Sequence, residues 1–473
     1  METIPKCVKQ HSFEIDNNTM DELWEIANRY GSVKNYVYSR YSGIGSLLIV
    51  ENHLKQIRDV WVKNGFAEQW QLPARYWKMA LSEAIANIKT EWANTKLRIK
   101  KAVYQNENLT EDEKHFIYYT LKANKILYAI LNKEPFNKPK KLENLVIREK
   151  YIFNLIRRYV RKYKGKVPYT HNKSLMLDFD MYNYRHENEE LYLDIMGLQR
   201  GKRLPVKLRD HNIHEGNIRI VLKDNTIEVH KVKYIKQKEL FKYHNPVGVD
   251  KGYRNLIASS TGNIYGNELG DMLSEETERL NKKNAERNKF RNLYKQYIKK
   301  GKTKKAQNIL GNNLGRKKYD RQKQKNIDRI KSYINHELNR FFYYENPSEV
   351  VIEDLTFVSW DNIFPKHIRR KLASWCKGYI NDRISYKAGL FSASMIIVNA
   401  AYTSKVCSKC GRFGKRDGDE FECPVCGILH ADKNASLNVL MRKDDNEIGL
   451  YTPYKQVKEI LEARLKKTLQ VSA

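Results

Sequence analysis

Four cysteines whose spacing suits a single metal ion lie near the carboxyl end of the chain. They form two CxxC pairs about a dozen residues apart, namely Cys407, Cys410, Cys423 and Cys426. Each CxxC lets one tight turn aim two thiolates at the same ion. Gly411 and Gly427 follow the two pairs, where such turns need a residue that tolerates positive φ. The spacing therefore predicts one structural Zn²⁺ held by four sulfur atoms in a small ribbon.

The alternative is that these cysteines form disulfides or are unrelated thiols. The remaining cysteines, Cys7 and Cys376, stand alone and do not suggest a disulfide framework. The amino terminus has no apolar signal segment, and no run approaches the roughly 20 apolar residues needed to span a bilayer. We therefore expect a soluble, cytoplasmic protein with reduced thiols, which favours zinc. A closed four-cysteine site is structural, so any catalysis must come from other residues.

Acidic residues that could perform chemistry stand at the ends of three predicted elements. Asp250 lies in the apolar strand VGVD, and Asp432 stands at the start of a helix six positions after Cys426. The strand predicted over residues 349–357 carries Glu353 and Asp354, whose side chains alternate faces, so only one of them can join a shared site. For Asp250 alone, a capping or salt-bridged aspartate is the alternative, because an unpaired acid in a buried strand is costly.

Carboxylates gathered from two neighbouring strands and one helix would suit phosphodiester cleavage. Two Mg²⁺ ions roughly 4 Å apart can stabilise the attacking and leaving oxygens of an in-line displacement. Carboxylate oxygens are the hard ligands that Mg²⁺ prefers. The pattern therefore predicts an RNase H-like arrangement with a catalytic metal centre.

The charge of the chain points to a polyanionic partner. Lys and Arg total 87 against 55 Asp and Glu, a formal net charge of +32, and the 31 tyrosines suit stacking on unpaired bases. Residues 282–331 alone carry 19 Lys or Arg against 3 acids. The alternative is a soluble protein with a basic surface and an aromatic core. We predict nucleic-acid binding.

The elements that must position these residues change in character along the chain. A short strand is predicted over Cys7–Ile15, followed by helical patterning from Met20 to about Tyr163. Short β-rich runs follow, with a hairpin turn at residues 223–225. The acid-bearing strands alternate with helices after residue 245, with a second hairpin at residues 261–263 and a long basic helical hairpin broken near Gly301. A helix is expected over about 366–390, then a strand over SMIIVNAAY, a helix over about 434–441 and a basic tail helix over 451–469.

At this point the chain resembles a family. The segments VGVDKGYRNL, VVIEDL and HADKNASLN are similar to the three RuvC segments of the transposon-encoded TnpB nucleases and of the related compact type V CRISPR effectors. The segments IRRKLASWCKGYINDRISYKAG and SMIIVNAAYTSKVCSKCG extend the likeness. Before residue 248 the match is looser, through RYGSVKNYVYSRY and LPARYWKMALSEAIANIKTEW.

The resemblance implies a multidomain α/β protein with an RNase H-like RuvC domain, an inserted four-cysteine zinc ribbon, an amino-terminal helical domain and a small β-barrel-like module. Residues 1–19 and 168–245 would form the β module that binds guide RNA and reads a flanking motif, and residues 20–167 the helical recognition domain. Residues 246–402 and 428–473 would form the nuclease domain, with the basic hairpin at about 271–345, and residues 403–427 the ribbon.

The implied activity is Mg²⁺-dependent, RNA-guided cleavage of double-stranded target DNA in a prokaryotic cytoplasm, associated with the nucleoid. Guide RNA would read the target by base pairing beside a short flanking motif. By motif position, Asp250, Glu353 and Asp432 would bind two catalytic Mg²⁺ ions, and the four cysteines one Zn²⁺. The family motif selects Glu353 over Asp354.

Other functions remain open beside this one. A TnpB-like transposon nuclease is preferred slightly over a compact type V CRISPR effector. A nuclease-silent, RNA-guided repressor is a further alternative, although all three acids are present. A transposase that joins DNA ends lacks support from an end-binding helix-turn-helix motif, and a zinc-ribbon RNA-binding protein would leave the two acid-bearing strands unexplained. The sequence does not specify an oligomeric state.

Overall fold

The protein is described here from a computed structural model, which covers residues 3–52, 54–238, 245–355 and 377–471. The chain divides into two compact units. Pro5–Tyr234 forms the amino-terminal unit, and Met1–Ile4 with Ile235–Ala473 forms the carboxy-terminal unit. Among the described residues, no helix combines the length and apolarity needed to cross a membrane. The helical and β-rich segments that the sequence analysis treats as separate domains lie in one unit and share one hydrophobic cluster.

The first part of the amino-terminal unit is helical, which confirms the predicted helical patterning. The helices are α1 (Asn17–Tyr41), α2 (Leu47–Asn52), α3 (Leu54–Lys63), α4 (Ala74–Tyr104), α5 (Glu111–Lys122), α6 (Asn124–Asn132), α7 (Lys140–Glu143) and α8 (Glu149–Tyr163). Apolar side chains at three- and four-residue steps make the core, and Tyr30 and Tyr76 on α1 and α4 are fully buried in it. A capping box between Thr110 and Glu113 fixes the start of α5.

Two sheets lie mostly in this unit. Their strands are β1 (Thr3–His11), β2 (Ser174–Leu177), β3 (Tyr182–Glu187), β4 (Glu190–Met196), β5 (Arg203–Lys207), β6 (Ile218–Leu222) and β7 (Ile227–Lys236). One sheet has the order β1-β7-β6-β2 and the other the order β3-β4-β5. The hairpin predicted around residues 223–225 joins β6 to β7. The first strand starts and ends four residues before the predicted Cys7–Ile15, because Asp16 already caps α1 through the Thr19 N–H.

A five-stranded sheet organises the carboxy-terminal unit. Its strands are β8 (Pro246–Asp250), β9 (Ile257–Ser259), β10 (Ile264–Tyr265), β11 (Glu349–Glu353) and β12 (Ser394–Val398), in the order β10-β9-β8-β11-β12. β8, β11 and β12 are parallel, whereas β9 runs antiparallel to β8 and forms the predicted hairpin with β10. Buried valine and isoleucine side chains lie on both faces of β11, whereas the valines of β8 lie on one face and Gly248 on the other.

Two predicted strands extend further than the observed ones. The strand predicted over SMIIVNAAY ends at Val398, the last residue of β12. The strand predicted over residues 349–357 ends at Glu353, where its pairing with β12 also ends. The latter part of that prediction lies outside the described residues, as does the first part of the helix predicted over 366–390. The described part of that helix is α12 (Lys377–Leu390).

Long helices connect β10 to β11. They are α9 (Leu269–Lys299), α10 (Thr303–Asn312) and α11 (Lys317–Tyr344). The predicted break at Gly301 is present, with this glycine at φ 65°, and the short helix α10 is an addition that the sequence analysis does not foresee. Two further helices, α13 (Ala431–Met441) and α14 (Tyr454–Val471), correspond to the predicted ones, but α13 begins three residues earlier than predicted.

Helix α13 packs directly on β8 at a glycine. A Cβ atom on Gly248 would lie 2.3 Å from the carbonyl oxygen of Ser436 and 2.7 Å from the backbone nitrogen of Leu440. Both obstacles are backbone atoms of α13, which cannot move without displacing the helix. The missing side chain at position 248 therefore allows the strand that carries Asp250 and the helix that carries Asp432 to approach each other.

We expect Gly248→Ala to destabilise the carboxy-terminal unit by about 3 kcal/mol or more, because the added methyl group overlaps backbone atoms. Calorimetric melting of the purified chain measures this. Gly311→Ala is the matched control, since no atom lies within 4 Å of a Cβ at that helical position. The control should leave stability unchanged or raise it by up to about 1 kcal/mol through helix propensity. Equal melting curves for the two variants would contradict the close-packing account.

Candidate metal centres

The four cysteines come together as the sequence predicts. Their Sγ atoms all lie within 4.8 Å of one another, and Cys410 and Cys423 are 3.5 Å apart. The glycines that follow the two pairs adopt φ values of 73° at Gly411 and 74° at Gly427, which confirms the predicted turns. Four sulfur atoms at this separation are the ligand set of a structural zinc site, so the cluster can hold one Zn²⁺.

Backbone N–H groups prepare one of these sulfur atoms to act as a thiolate. The N–H of Cys426 donates to the Sγ of Cys423 over 3.4 Å. Burial by itself would raise the pKa of the Cys423 thiol, but the N–H groups of Cys426 and Val425 and the neighbouring thiols outweigh it and lower the pKa to about 6. A thiol that ionises readily favours zinc binding, because the thiolate is the form that ligates the metal.

The ribbon around this cluster consists of three short antiparallel strands, β13 (Lys415–Asp417), β14 (Glu420–Cys423) and β15 (Gly427–His430). Its core contains one large buried side chain, Phe421, packed among the cysteines and Ala431. So small a core needs a metal or another cross-link to be stable. β15 runs directly into α13, so the ribbon determines where that helix starts.

Two asparagines fasten the first cysteine turn to α13. Asn434 donates to the carbonyl oxygen of Val406 over 2.8 Å and accepts from the N–H of Ser408 over 2.7 Å. Asn438 donates to the carbonyl oxygens of Thr403 and Val406 over 2.8 and 2.6 Å. Both residues belong to the segment HADKNASLN, whose sequence alone does not indicate these contacts. Their buried amides connect the ribbon to the helix that carries Asp432.

The three predicted carboxylates gather at one edge of the five-stranded sheet. Asp250 ends β8 and Glu353 ends β11, and these strands are parallel neighbours in which Val249 is opposite Ile352. Asp432 lies in the first turn of α13, which packs on β8. All three are buried, with exposures of 9, 7 and 6% for Asp250, Glu353 and Asp432. Asp354 follows the end of β11, is half-buried, and its N–H donates to the carbonyl oxygen of Val398.

Each of two carboxylates accepts hydrogen bonds from neighbouring side chains. Asp432 accepts from Arg416 at Oδ1 over 2.5 Å and from Asn255 at Oδ2 over 3.1 Å. Glu353 accepts at Oε2 from the hydroxyl of Thr403 over 3.2 Å. Because Arg416 donates to Oδ1 of Asp432, a cation that uses this oxygen must share it with the guanidinium or displace it.

Burial dominates the electrostatics of this edge, and at Asp250 repulsion by the other two carboxylates adds to it. Burial, and after it the negative charges of Glu353 and Asp432, raise the pKa of the Asp250 carboxyl well above its ordinary value. Burial also raises the pKa of Glu353, although Lys251, the Thr403 hydroxyl and Arg416 oppose that rise. Three buried acids that repel one another are a suitable ligand set for a hard divalent cation such as Mg²⁺, whose charge would relieve the repulsion.

The two clusters differ in how tightly they are assembled. Within the part of the chain that the structure describes, the four cysteines are the one group of three or more potential ligands gathered closely enough to hold a single ion. The carboxylates are spread more widely and are partly held by protein donors. A wider spacing is compatible with a centre that binds two ions, because each ion then uses a different subset of ligands.

Sequence reasoning missed the cationic and amide partners of the carboxylates. Arg416 belongs to the polar run GKRDGD, which by itself is typical of a solvated turn. Lys251 follows Asp250 directly and is 4% exposed. The available signal for Lys251 was a lysine directly after a buried strand. Nothing in the sequence indicates that Arg416 reaches Asp432, 16 positions later.

Comparison with known proteins finds one matching family model and several similar proteins. Residues 378–439 match the family model of the Cas12f1-like TNB domain. Three TnpB-like proteins of Acanthamoeba polyphaga mimivirus are 26% identical over 150 residues, which is 30% of this chain. The predicted resemblance to the TnpB family and the type V effectors is confirmed. The matched region is 27% of the length of the first of these relatives, so the match covers about a quarter of each relative's own length.

Solved structures of Cas12 proteins are similar over most of the chain at low identity. The Cas12f1–sgRNA–target DNA complex gives a TM-score of 0.41 at 13% identity, covering 92% of this chain and 98% of that one. C2c1 of Alicyclobacillus acidoterrestris with single-guide RNA gives 0.46 at 10% identity, covering 93% and 88%. The fold of the present chain is mixed α/β and multidomain, and the assignment of its site rests on its own residues.

We expect the purified chain to carry one zinc ion and Cys423→Ser to lose it, lowering the melting temperature of the carboxy-terminal unit because the ribbon core is too small to fold alone. Elemental analysis and thermal melting measure the two effects. A strong chelator should lower the melting temperature of the unaltered chain and leave Cys423→Ser unaffected. Cys7→Ser is the control, since this cysteine is exposed and stands outside the cluster. Unchanged stability after chelation would count against a structural zinc site.

Proposed function

We propose that this protein is an RNA-guided DNA endonuclease with a single RuvC-like active site. The observation that carries the proposal is the gathering of three buried carboxylates from β8, β11 and α13 at one edge of a parallel sheet, with a four-cysteine ribbon inserted before the third. The strand order, with β8 central and β9 antiparallel to it, supports an RNase H-like fold for this domain. The similarity to TnpB-like proteins and to the Cas12f1-like TNB domain supports the same family of activities.

The proposed catalytic residues are Asp250, Glu353 and Asp432. Mg²⁺ held by them would supply the charge that stabilises the attacking and leaving oxygens of phosphodiester hydrolysis. Asn255 and the Thr403 hydroxyl orient Asp432 and Glu353 through hydrogen bonds, so two of the three ligands are held before nucleic acid arrives. Burial excludes bulk water from the carboxylates and strengthens their interaction with a cation.

Affinity for nucleic acid comes, in this proposal, from the basic surface. Residues 282–331 span parts of α9 and α11, all of α10 and the connections between them, and all 19 basic side chains there except Arg287 and Lys331 are exposed. Such a density of cations supports contact with the phosphate backbone of guide RNA or target DNA. The sequence of the target would be read by base pairing with the guide, beside a flanking motif read by the amino-terminal unit.

The setting of this activity has two candidates. A transposon-encoded nuclease is slightly preferred, because the curated relatives are TnpB-like, and a compact type V CRISPR effector is the alternative, because the matching domain is Cas12f1-like. In either setting we propose a cytoplasmic, nucleoid-associated protein in a prokaryotic cell. A nuclease-silent, RNA-guided repressor is disfavoured, because the three acids are retained and gathered.

We expect Asp250→Ala and Asp432→Ala to abolish DNA cleavage while leaving RNA and target binding unchanged, because the acids hold metal and the basic surface provides affinity. Cleavage of a labelled duplex and filter binding measure the two properties. Full cutting by either variant would refute the assignment of these residues.

A neighbouring pair of acids provides a sharper version of this test. Glu353→Gln should abolish cleavage, because it removes a buried carboxylate that repels Asp250 and faces the same site. Asp354→Asn should cut at the rate of the unaltered chain, because this residue lies beyond the end of β11 and is half-buried. The reverse pattern would transfer the catalytic role to Asp354.

The guided mechanism is tested by expressing the chain with its native flanking DNA and sequencing the RNA that co-purifies at moderate salt. We expect one discrete RNA with a constant part and a variable guide segment. A constant part that matches a transposon end or a CRISPR repeat would distinguish the two settings. RNA no more abundant than in a purification of an unrelated basic protein would remove the guide from the proposal.

A further inference from the structure

A buried lysine stands beside the proposed catalytic carboxylates without being one of their ligands. Lys251 follows Asp250 and is 4% exposed. An ammonium group in so dry a position is costly unless acceptors surround it. Its position in the fold therefore depends on the groups that accept its hydrogen bonds.

Two of these acceptors belong to other elements of the same unit. The Nζ atom donates to the backbone carbonyl oxygen of Glu353 over 2.9 Å and to Oδ1 of Asn381 over 2.8 Å. Glu353 is the last residue of β11, and Asn381 lies on α12. One ammonium group thus connects the end of β8, the end of β11 and a helix.

The contact with Glu353 stands where the pairing of β8 with β11 stops. The parallel pairing includes Val249 opposite Ile352 and goes no further, so Asp250 and Glu353 lie one residue beyond it. The Lys251 side chain supplies a link between the two strands just past their last paired residues. Without it, the strand ends that carry two proposed ligands would lack this cross-strand hydrogen bond.

We propose that Lys251 is a positioning residue for the metal centre, which fixes the backbone of Glu353 relative to Asp250 and anchors both to α12 through Asn381. The inference rests on the proposed function, because it assumes that these carboxylates bind divalent metal. Removing a group that orients metal ligands typically weakens metal binding by about 10–100-fold. Lys251 contacts a backbone atom of a ligand residue, so the proposed role is geometric. Its positive charge also acts on the carboxylates, and Asn381→Ala, which retains that charge, tests the geometric role separately.

The test is Mn²⁺ binding to the full-length, zinc-loaded protein without nucleic acid, followed by the EPR signal of free Mn²⁺. Mn²⁺ serves as the probe because it accepts the same carboxylate ligands as Mg²⁺. Lys251→Met keeps the apolar stem and removes the donors. We expect Lys251→Met to weaken Mn²⁺ binding by about 10-fold or more. Asp250→Ala, which removes a proposed ligand, should abolish Mn²⁺ binding at this centre.

Lys387→Met is the matched control for the loss of a buried ammonium group. Lys387 is also 4% exposed, and its Nζ donates to Oδ1 of Asn339. It stands near the end of α12. From there the chain re-enters the sheet at Ser394, which pairs with Glu349. Glu349 is at the opposite end of β11 from Glu353. We expect this variant to bind Mn²⁺ as the unaltered chain does, even where its melting temperature falls as much as that of Lys251→Met.

Asn381→Ala provides a second route if Lys251→Met does not fold. It removes one acceptor of the same ammonium group, and we expect a loss of Mn²⁺ affinity in the same direction. The role of Lys251 would be overturned if Lys251→Met or Asn381→Ala bound Mn²⁺ with unaltered affinity while Asp250→Ala did not bind it. The proposed metal centre would then stand. If Asp250→Ala bound Mn²⁺ as tightly as the unaltered chain does, the proposed metal centre itself would be overturned.

Discussion

Electrostatic repulsion between three buried carboxylates is the constraint on which the carboxy-terminal unit depends. Asp250, Glu353 and Asp432 are each at least nine-tenths buried and lie close enough for two of them to raise the pKa of the third. A fold does not bring such groups together without compensation, because buried charge is costly. The compensation comes from strand pairing, from the close approach at Gly248 and from the cations of Lys251 and Arg416. The carboxylates remain without a full complement of positive charge, which a divalent ion would provide.

The four-cysteine ribbon links the edge of the sheet to helix α13, which carries the third carboxylate. Its core is too small to fold by burial of apolar surface, so its four sulfur atoms must provide the rigidity. The amides of Asn434 and Asn438 transmit that rigidity to α13, and the Arg416 side chain reaches from β13 to Asp432. A structural metal ion held by the four cysteines would thus help to determine the position of one of the proposed catalytic groups.

The distribution of charge separates binding from chemistry. The exterior of α9, α10 and α11 is strongly basic, whereas the edge of the sheet is acidic and buried. A basic exterior attracts polyanions over a distance set by the ionic strength. An acidic interior repels phosphate unless a metal ion is present. Under the proposed function, nucleic acid would be held by the first surface and would react at the second only when metal is bound.

The sequence by itself determined the local features of this protein. The CxxC spacing with Gly411 and Gly427, the hairpin at residues 223–225 and the helical region before residue 164 all follow from short-range patterns, and the structure has each of them. Local rules suffice there because turn geometry and helical periodicity involve residues within a few positions of one another. The family motifs selected Glu353, a choice that strand alternation alone leaves open.

Only the tertiary structure decided which distant groups meet. Strand order placed β8 beside β11, and the missing side chain of Gly248 let α13 approach, so acids separated by about 80 to 100 positions share one edge. The partners that hold them, Arg416 and the Lys251–Asn381 pair, follow no periodic pattern, because each contact depends on how separate elements pack. The register of β8 with β11 likewise decided that pairing stops one residue before the acids, which gives Lys251 its place.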